Sequence, residues 1–170
     1  GGPGSGKSYV VRKTTGGTGL KVVNSDDAFE KLLKDANLSL KMPPEEKAPR
    51  DVQRKRAKAI TKSRRDNYVE GRIGLIIDGT GKDYEKIASQ SKDLRQLGYD
   101  THMIFVNTSL DTALQRNADR PRSVPDSIVV KSWNEVQSNI GSFSQHFREN
   151  FIVVDNNDAG EDVFVKVFKQ

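Results

Sequence analysis

The residues best suited to chemistry stand together at the start of the chain, where positions 1–8 read GGPGSGKS. Gly1, Gly6, Lys7 and Ser8 fit the spacing Gly-x-x-x-x-Gly-Lys-Ser/Thr. Backbone N–H groups converge on a phosphate only where the chain bends through conformations that a Cβ obstructs, so such a loop needs glycine. A helix that starts directly behind the loop turns its positive end toward the same anion. On this reading Gly2, Pro3, Gly4, Ser5, Gly6, Lys7 and Ser8 hold ATP. Lys7 reaches the β- and γ-phosphates, and the Ser8 hydroxyl ligates Mg²⁺. The competing explanation is a flexible glycine-rich terminus. A helix-forming stretch at 8–13 argues for the loop. Such a loop ordinarily follows a buried strand, and this sequence opens on the loop itself.

Carboxylates follow at two strand ends. Asp78 closes the apolar run Leu75-Ile76-Ile77, at the carboxyl edge where ligands gather in a parallel sheet. It suits Mg²⁺ held through water, or orientation of an acceptor; the plainer role is an Asp capping a turn. Asp26 and Asp27 follow the apolar run at 20–24. A carboxylate there can orient a hydroxyl and take its proton as a phosphoryl group arrives. We assign that role to Asp26 and a helix N-cap to Asp27.

Two groups of cations complete the inventory. Arg116, Arg120 and Arg122 lie where a helix gives way to a Pro-containing loop. Arginines on a lid over residues 116–126 would stabilise the charge that develops on a transferring phosphoryl group, with Arg120 as the principal one. A solvated basic turn is the alternative. Arg50, Arg54, Lys55, Arg56, Lys58, Lys62, Arg64 and Arg65 crowd one helical stretch. That run fits phosphate contacts along a nucleic acid and equally fits a solvated helix face.

The elements that must position these groups alternate. Helices are expected at 8–13, 26–35, 50–70 and 83–97, then around Leu110, Ala113, Leu114 and Ala118, and around Val129, Trp133, Val136 and Ile140. Strands are expected at 20–24, 72–78, 101–106, 151–154 and 163–168, with 72–78 the most clearly buried. The apolar seam of the basic helix should be Val52, Ala59, Ile60 and Tyr68. Alternation of this kind predicts a three-layer α/β fold with a mainly parallel sheet, here one domain over 1–170 with a basic helical insert at about 37–70.

With 170 residues, one core is the expected size. The absence of cysteine excludes disulfides and thiolate metal sites. His102 and His146 are too far apart in sequence to suggest a histidine metal cluster. No apolar run reaches membrane-spanning length, so a soluble, cytoplasmic protein without membrane partners is expected. The formal charge of +5 favours polyanionic partners only weakly.

Taken in order, GGPGSGKS, NSDD, GLIIDGT and QRNADRPRSVP resemble the phage polynucleotide 5′-kinases, and the zeta-toxin-like small kinases are similar. The resemblance covers most of the chain and implies the P-loop NTPase fold, with ATP and Mg²⁺ as cofactors. It makes Asp26 the general base, Lys7 and Ser8 the ATP and Mg²⁺ ligands, and Arg120 the lid arginine. It also puts Asn156 and Asn157 near the adenine, and a phage-encoded protein in the host cytoplasm. One departure is that the acceptor-gripping arginine of the polynucleotide kinases is replaced by the neighbourhood Ala28-Phe29. Three functions follow. The first is a kinase for a nucleic-acid hydroxyl, either a 5′ end or a hydroxymethylated base. The second is a small-molecule kinase for a nucleotide, nucleoside or nucleotide sugar, as in the zeta-toxin-like group. The third is a non-catalytic ATP-binding interaction module.

Overall fold

A computed structural model describes residues 1–157. Contacts group the described residues into two compact units, one of 1–14, 80–118 and 125–157, the other of 15–79 and 119–124. The strand expected at 163–168 lies outside the described residues.

The first unit is built on two parallel strands, β3 (Met103–Asn107) and β4 (Phe151–Asp155), in register from Met103↔Phe151 to Asn107↔Asp155. Strand alternation sends successive side chains to opposite faces. Val106 and Val154 pack with Val10 of helix α1 (Lys7–Thr15). Phe105 and Phe151 turn the other way, onto Val136 of α6 (Asp126–Ser138) and Phe143 and Phe147 of α7 (Ile140–Phe147). Helices therefore cover both faces of the pair. Helix α4 (Tyr84–Gln96) adds Tyr84 and Ile87 to this cluster. Asp83 caps α4, accepting a hydrogen bond from the Lys86 N–H at 3.1 Å. Helix α5 (Leu110–Ala118) follows β3. The sequence pattern did not separate α7 from α6. Asn139 divides them, and its side-chain amide donates to the carbonyls of Gly81 and Lys82 at 3.1 and 2.9 Å.

The second unit pairs β1 (Lys21–Val23) with β2 (Leu75–Ile77), again parallel. Helix α2 (Asp26–Asp35) packs on α3 (Lys47–Glu70), the latter entered through a 3-10 turn at Pro44–Glu46. Pro49 falls within the first turn of α3, where a missing N–H breaks no helical bond. Phe29, Leu33, Met42 and Ala57 form the core between the two helices. Phe29→Ala would cost roughly 3–5 kcal/mol by lost transfer energy and cavity.

Two expectations fail here. The apolar run at 72–78 yields a three-residue strand that is only half-buried, and Ile77 is 40% exposed. The seam of α3 is also rotated. Val52 is 54% exposed and Ile60 38%, while Ala57 is the buried residue of that helix. At 24 residues α3 is about 36 Å long, and it gives Ala57 to the core shared with Phe29 and Leu33 of α2. Apolar count alone pointed to the wrong face because the Arg54 guanidinium, a polar group, lies over the Phe29 ring.

Candidate active site

The phosphate loop belongs to the first unit. Gly4 and Gly6 hold φ of +77° and +84°, in the left-handed region. A Cβ on Gly4 would overlap the Ala113 backbone, and one on Gly6 would overlap the Asn156 side-chain nitrogen. Glycine is thus required twice over, by backbone angle and by space. The loop closes with Ser5 N–H donating to the Gly2 carbonyl at 3.3 Å, and α1 opens from it, Val10 N–H donating to the Gly6 carbonyl at 3.1 Å. The first turn of α1 accordingly faces its N–H groups back to the loop. The Lys7 ammonium donates to the Gly2 carbonyl at 3.2 Å, folded across the loop it serves. Ser8 is exposed at the start of α1.

The ends of β3 and β4 brace this loop. Asn156 is 2% exposed, and its Nδ2 donates to the Ser5 carbonyl at 2.8 Å. Its N–H continues the ladder to the Asn107 carbonyl at 2.9 Å. Asn157 Oδ1 accepts from the Ser109 N–H at 2.6 Å, just ahead of α5. Arg116, near the end of α5, donates from Nη2 to the Asn157 carbonyl at 3.1 Å. Its Nη1 is buried and meets no protein partner, 3.5 Å from where a Cβ would stand on Gly6. A buried guanidinium N–H without an acceptor is costly. Its place beside the glycine loop is the fit expected of residues that close around an anion. The residues expected to hold ATP thus leave room for an anion beside the loop, with the Ser8 hydroxyl exposed at its edge. Asn156 and Asn157 were expected near a base; here their side chains pin the phosphate loop and the start of α5.

The second unit carries the carboxylates. Asp78 N–H donates to the Val23 carbonyl at 3.0 Å, which fixes Asp78 at the end of the strand pair. Asn24, at the end of β1, uses both ends of its amide. Nδ2 donates to Asp78 Oδ2 and Oδ1 accepts from the Asp26 N–H, each at 2.8 Å. Asp26 and Asp27 both lie in the first turn of α2, and Ser25 precedes them without a side-chain cap bond. The N-cap role expected of Asp27 is therefore corrected: Asp27 lies inside the helix, Ser25 holds the N-cap position, and Asn24 takes the Asp26 N–H. Asp27 retains only a favourable charge at the helix start.

Arg122 donates from Nη2 to Asp26 Oδ2 at 2.9 Å and from Nε to Glu30 Oε1 at 2.8 Å. Its side chain is 11% exposed, against 47% for Asp26. Arg54 stacks over Phe29, its Cζ 4.3 Å from the ring centroid. The Lys41 ammonium donates to the Arg120 carbonyl at 3.1 Å, and the Arg120 side chain is half-buried. The three arginines expected on one lid thus divide. Arg116 is built into the unit with the phosphate loop, whereas Arg120 and Arg122 belong to the unit with the carboxylates. Sequence reasoning missed Asn24, Glu30 and Arg54 as members of these constellations. The signal for Asn24 was its place beside the paired aspartates; Glu30 and Arg54 carried none that spacing could reveal.

Among the described residues, no three acidic or histidine side chains gather as a metal cluster, and no helix is long and apolar enough to cross a membrane. The Zeta toxin family model matches residues 1–164. No curated protein matches the chain.

Proposed function

Since the chain belongs to the zeta toxin family, a P-loop kinase-like group that uses ATP, we propose that it transfers the γ-phosphate of ATP to a hydroxyl group on a nucleic acid. The observation that carries the kinase reading is the buried Arg116 Nη1 beside Gly6, in the unit where Lys7 folds over the glycine loop. In the transfer, the acceptor oxygen bonds to the γ-phosphorus as the bridging oxygen departs with ADP. The hydroxyl proton passes to the Asp26 carboxylate. Lys7 and Arg116 offset the charge on the phosphoryl oxygens, and Arg120 is proposed to join them. Ser8 would ligate Mg²⁺, which neutralises phosphate charge when bound. Asp78 is the carboxylate proposed to act on that ion through water, and Asn24 sets its orientation.

The nucleic-acid acceptor is supported by α3, where Lys55, Arg56, Lys58, Lys62 and Arg64 all stand exposed. Asp66 pairs with Lys62 and Arg65, so part of this charge is locally balanced. The second reading is a small-molecule acceptor. The family assignment favours it, because the resemblance to zeta-toxin-like kinases pointed to nucleotides and nucleotide sugars.

Labelled ATP incubated with 5′-hydroxyl oligonucleotides and, separately, with a metabolite pool tests the proposal. Transfer to the oligonucleotide, weakened by salt, is the expected result. Transfer confined to a metabolite replaces the acceptor and keeps the enzyme. ATP binding without turnover to any acceptor leaves a non-catalytic nucleotide-binding module. Lys7→Ala and Arg116→Ala should each weaken ATP binding about tenfold or more, as loss of a charge-assisted contact does. Asp26→Asn should lower kcat and leave KM for ATP little changed.

A further inference from the structure

Asp26 and Glu30 stand at positions i and i+4 of α2, so their carboxylates share one face of that helix and repel each other unless a cation lies between them. Arg122 is that cation. Its Nη2 donates to Asp26 Oδ2 at 2.9 Å and its Nε to Glu30 Oε1 at 2.8 Å. Nε and Nη2 form one edge of the guanidinium, and that edge ordinarily closes on both oxygens of a single carboxylate. Here it is split, and each acid takes one nitrogen. Asp26 Oδ1 is left without a hydrogen bond or ion pair among the described residues, on a side chain 47% exposed. The backbone around Arg122 is fastened to the same unit. The Lys41 ammonium donates to the Arg120 carbonyl at 3.1 Å, and Val124 packs against the core of Phe29, Leu33, Met42 and Ala57. Tied on both sides, Arg122 can change partners only by turning its head group.

We propose that Glu30 is a positioning residue for the transfer reaction, acting through Arg122. By taking Nε, it confines the guanidinium to one oxygen of Asp26 and leaves Oδ1 open to the acceptor hydroxyl. The inference rests on the reading of Asp26 as the base. A carboxylate serves as base through an oxygen within hydrogen-bond reach of the proton it removes. A guanidinium closed on both oxygens would fill that place and keep the hydroxyl out. Removing Glu30 creates that state. The Arg122 side chain is only 11% exposed, so an Nε–H stripped of its acceptor is costly and is drawn to another oxygen. Asp26 Oδ1, on the same helix face, is the vacant one. Arg54, which lies over the Phe29 ring on this face, offers no alternative anchor: its charge attracts Asp26 and repels Arg122. Glu30 is thus the second acceptor that keeps Arg122 from closing on the base.

The test measures ADP release from Mg-ATP by the full chain, with a 5′-hydroxyl oligonucleotide as acceptor and again with water alone. Glu30→Ala should lower kcat about tenfold or more and leave KM for ATP within about twofold. Glu30→Gln, which keeps an oxygen for Nε, should retain most of the rate. The double variant Glu30→Ala/Arg122→Ala should match Arg122→Ala and run faster than Glu30→Ala, because the group that closes on the base is gone. A glutamate that merely supports the fold would instead give losses that add. A crystal structure of Glu30→Ala decides the same point without turnover, and should show Nε and Nη2 on the two oxygens of Asp26. The proposal is overturned if Glu30→Ala keeps the wild-type kcat, if the double variant is slower than Glu30→Ala, or if Arg122 in that crystal still leaves Asp26 Oδ1 open. Failure of the underlying reading has a different signature: Asp26→Asn would keep full turnover with either residue at position 30, and the proposal would fall with it.

Discussion

Asn156→Ala isolates what the end of β4 does for the phosphate loop. The wild-type side chain donates one hydrogen bond, from Nδ2 to the Ser5 carbonyl at 2.8 Å, and both groups are shut off from water. Truncation leaves that carbonyl buried without a donor, a cost of about 1–3 kcal/mol. Asn156 Oδ1 has no partner of its own, so little is lost on that side. For a chain of this length each kcal/mol moves Tm by about 2–4 °C, so a drop of about 2–12 °C is expected. The bond also holds the Gly4-Ser5-Gly6 backbone in its positive-φ shape, so ATP affinity should fall with it. Thermal melts with and without Mg-ATP read both effects at once: a lower Tm for the free protein and a smaller upward shift with nucleotide. If Asn156→Ala melts within 1 °C of wild type and keeps the full ATP shift, the brace is irrelevant and the reasoning from buried satisfaction is wrong.

Gly4→Ala should abolish the nucleotide-dependent Tm shift, because left-handed geometry at a residue with a Cβ costs about 1–2 kcal/mol before the overlap with Ala113 is counted; an unchanged shift would refute the loop geometry. Arg122→Ala should lower Tm by a few degrees and reduce turnover while ATP affinity stays within twofold, since the residue bonds Asp26 and Glu30; the two half-exposed acids limit the stability loss to about 1–2 kcal/mol. A tenfold loss of ATP affinity in that variant would return Arg122 to the nucleotide. The pKa of His146 lies below its ordinary value of 6.5, chiefly by burial and secondarily by Arg95 and Lys92. The unfolded chain therefore takes up this proton more readily, and stability should decline as pH falls through 6.5 toward the lowered folded value. His146→Gln should flatten the decline, and a denaturant titration series from pH 7.5 to 5 checks it.

Much of the candidate site was legible in the sequence. The glycine loop, Lys7 and Ser8 were readable because phosphate binding by backbone N–H groups constrains residue type at consecutive positions, which is information local in sequence. Asp26 and Asp78 were legible as strand-end acids for a similar reason. Arg122 and Arg54 were visible only as positive charge. Glu30 lay unremarked on a helix surface, and its pairing with Arg122 spans 92 positions of sequence. Asn156 was noticed through resemblance, with no indication that its amide would reach back to Ser5 across 151 positions. The basic helix was found within three residues at its start, yet its buried face was misread, because Ala57 and the Arg54 guanidinium over Phe29 take the place that Val52 and Ile60 were expected to fill.

Sequence alone determined most of the element order, the division of α6 from α7 apart, and the glycine loop, since hydrophobic periodicity and the needs of a tight anion-binding turn are written over short stretches. Tertiary structure alone decided which arginine serves which partner, which side of α3 is covered, and how Asn24 and Asn156 orient their neighbours. Those outcomes depend on hydrogen-bond satisfaction between groups far apart along the chain. A long polar side chain can meet that demand from many positions, and only packing selects among them.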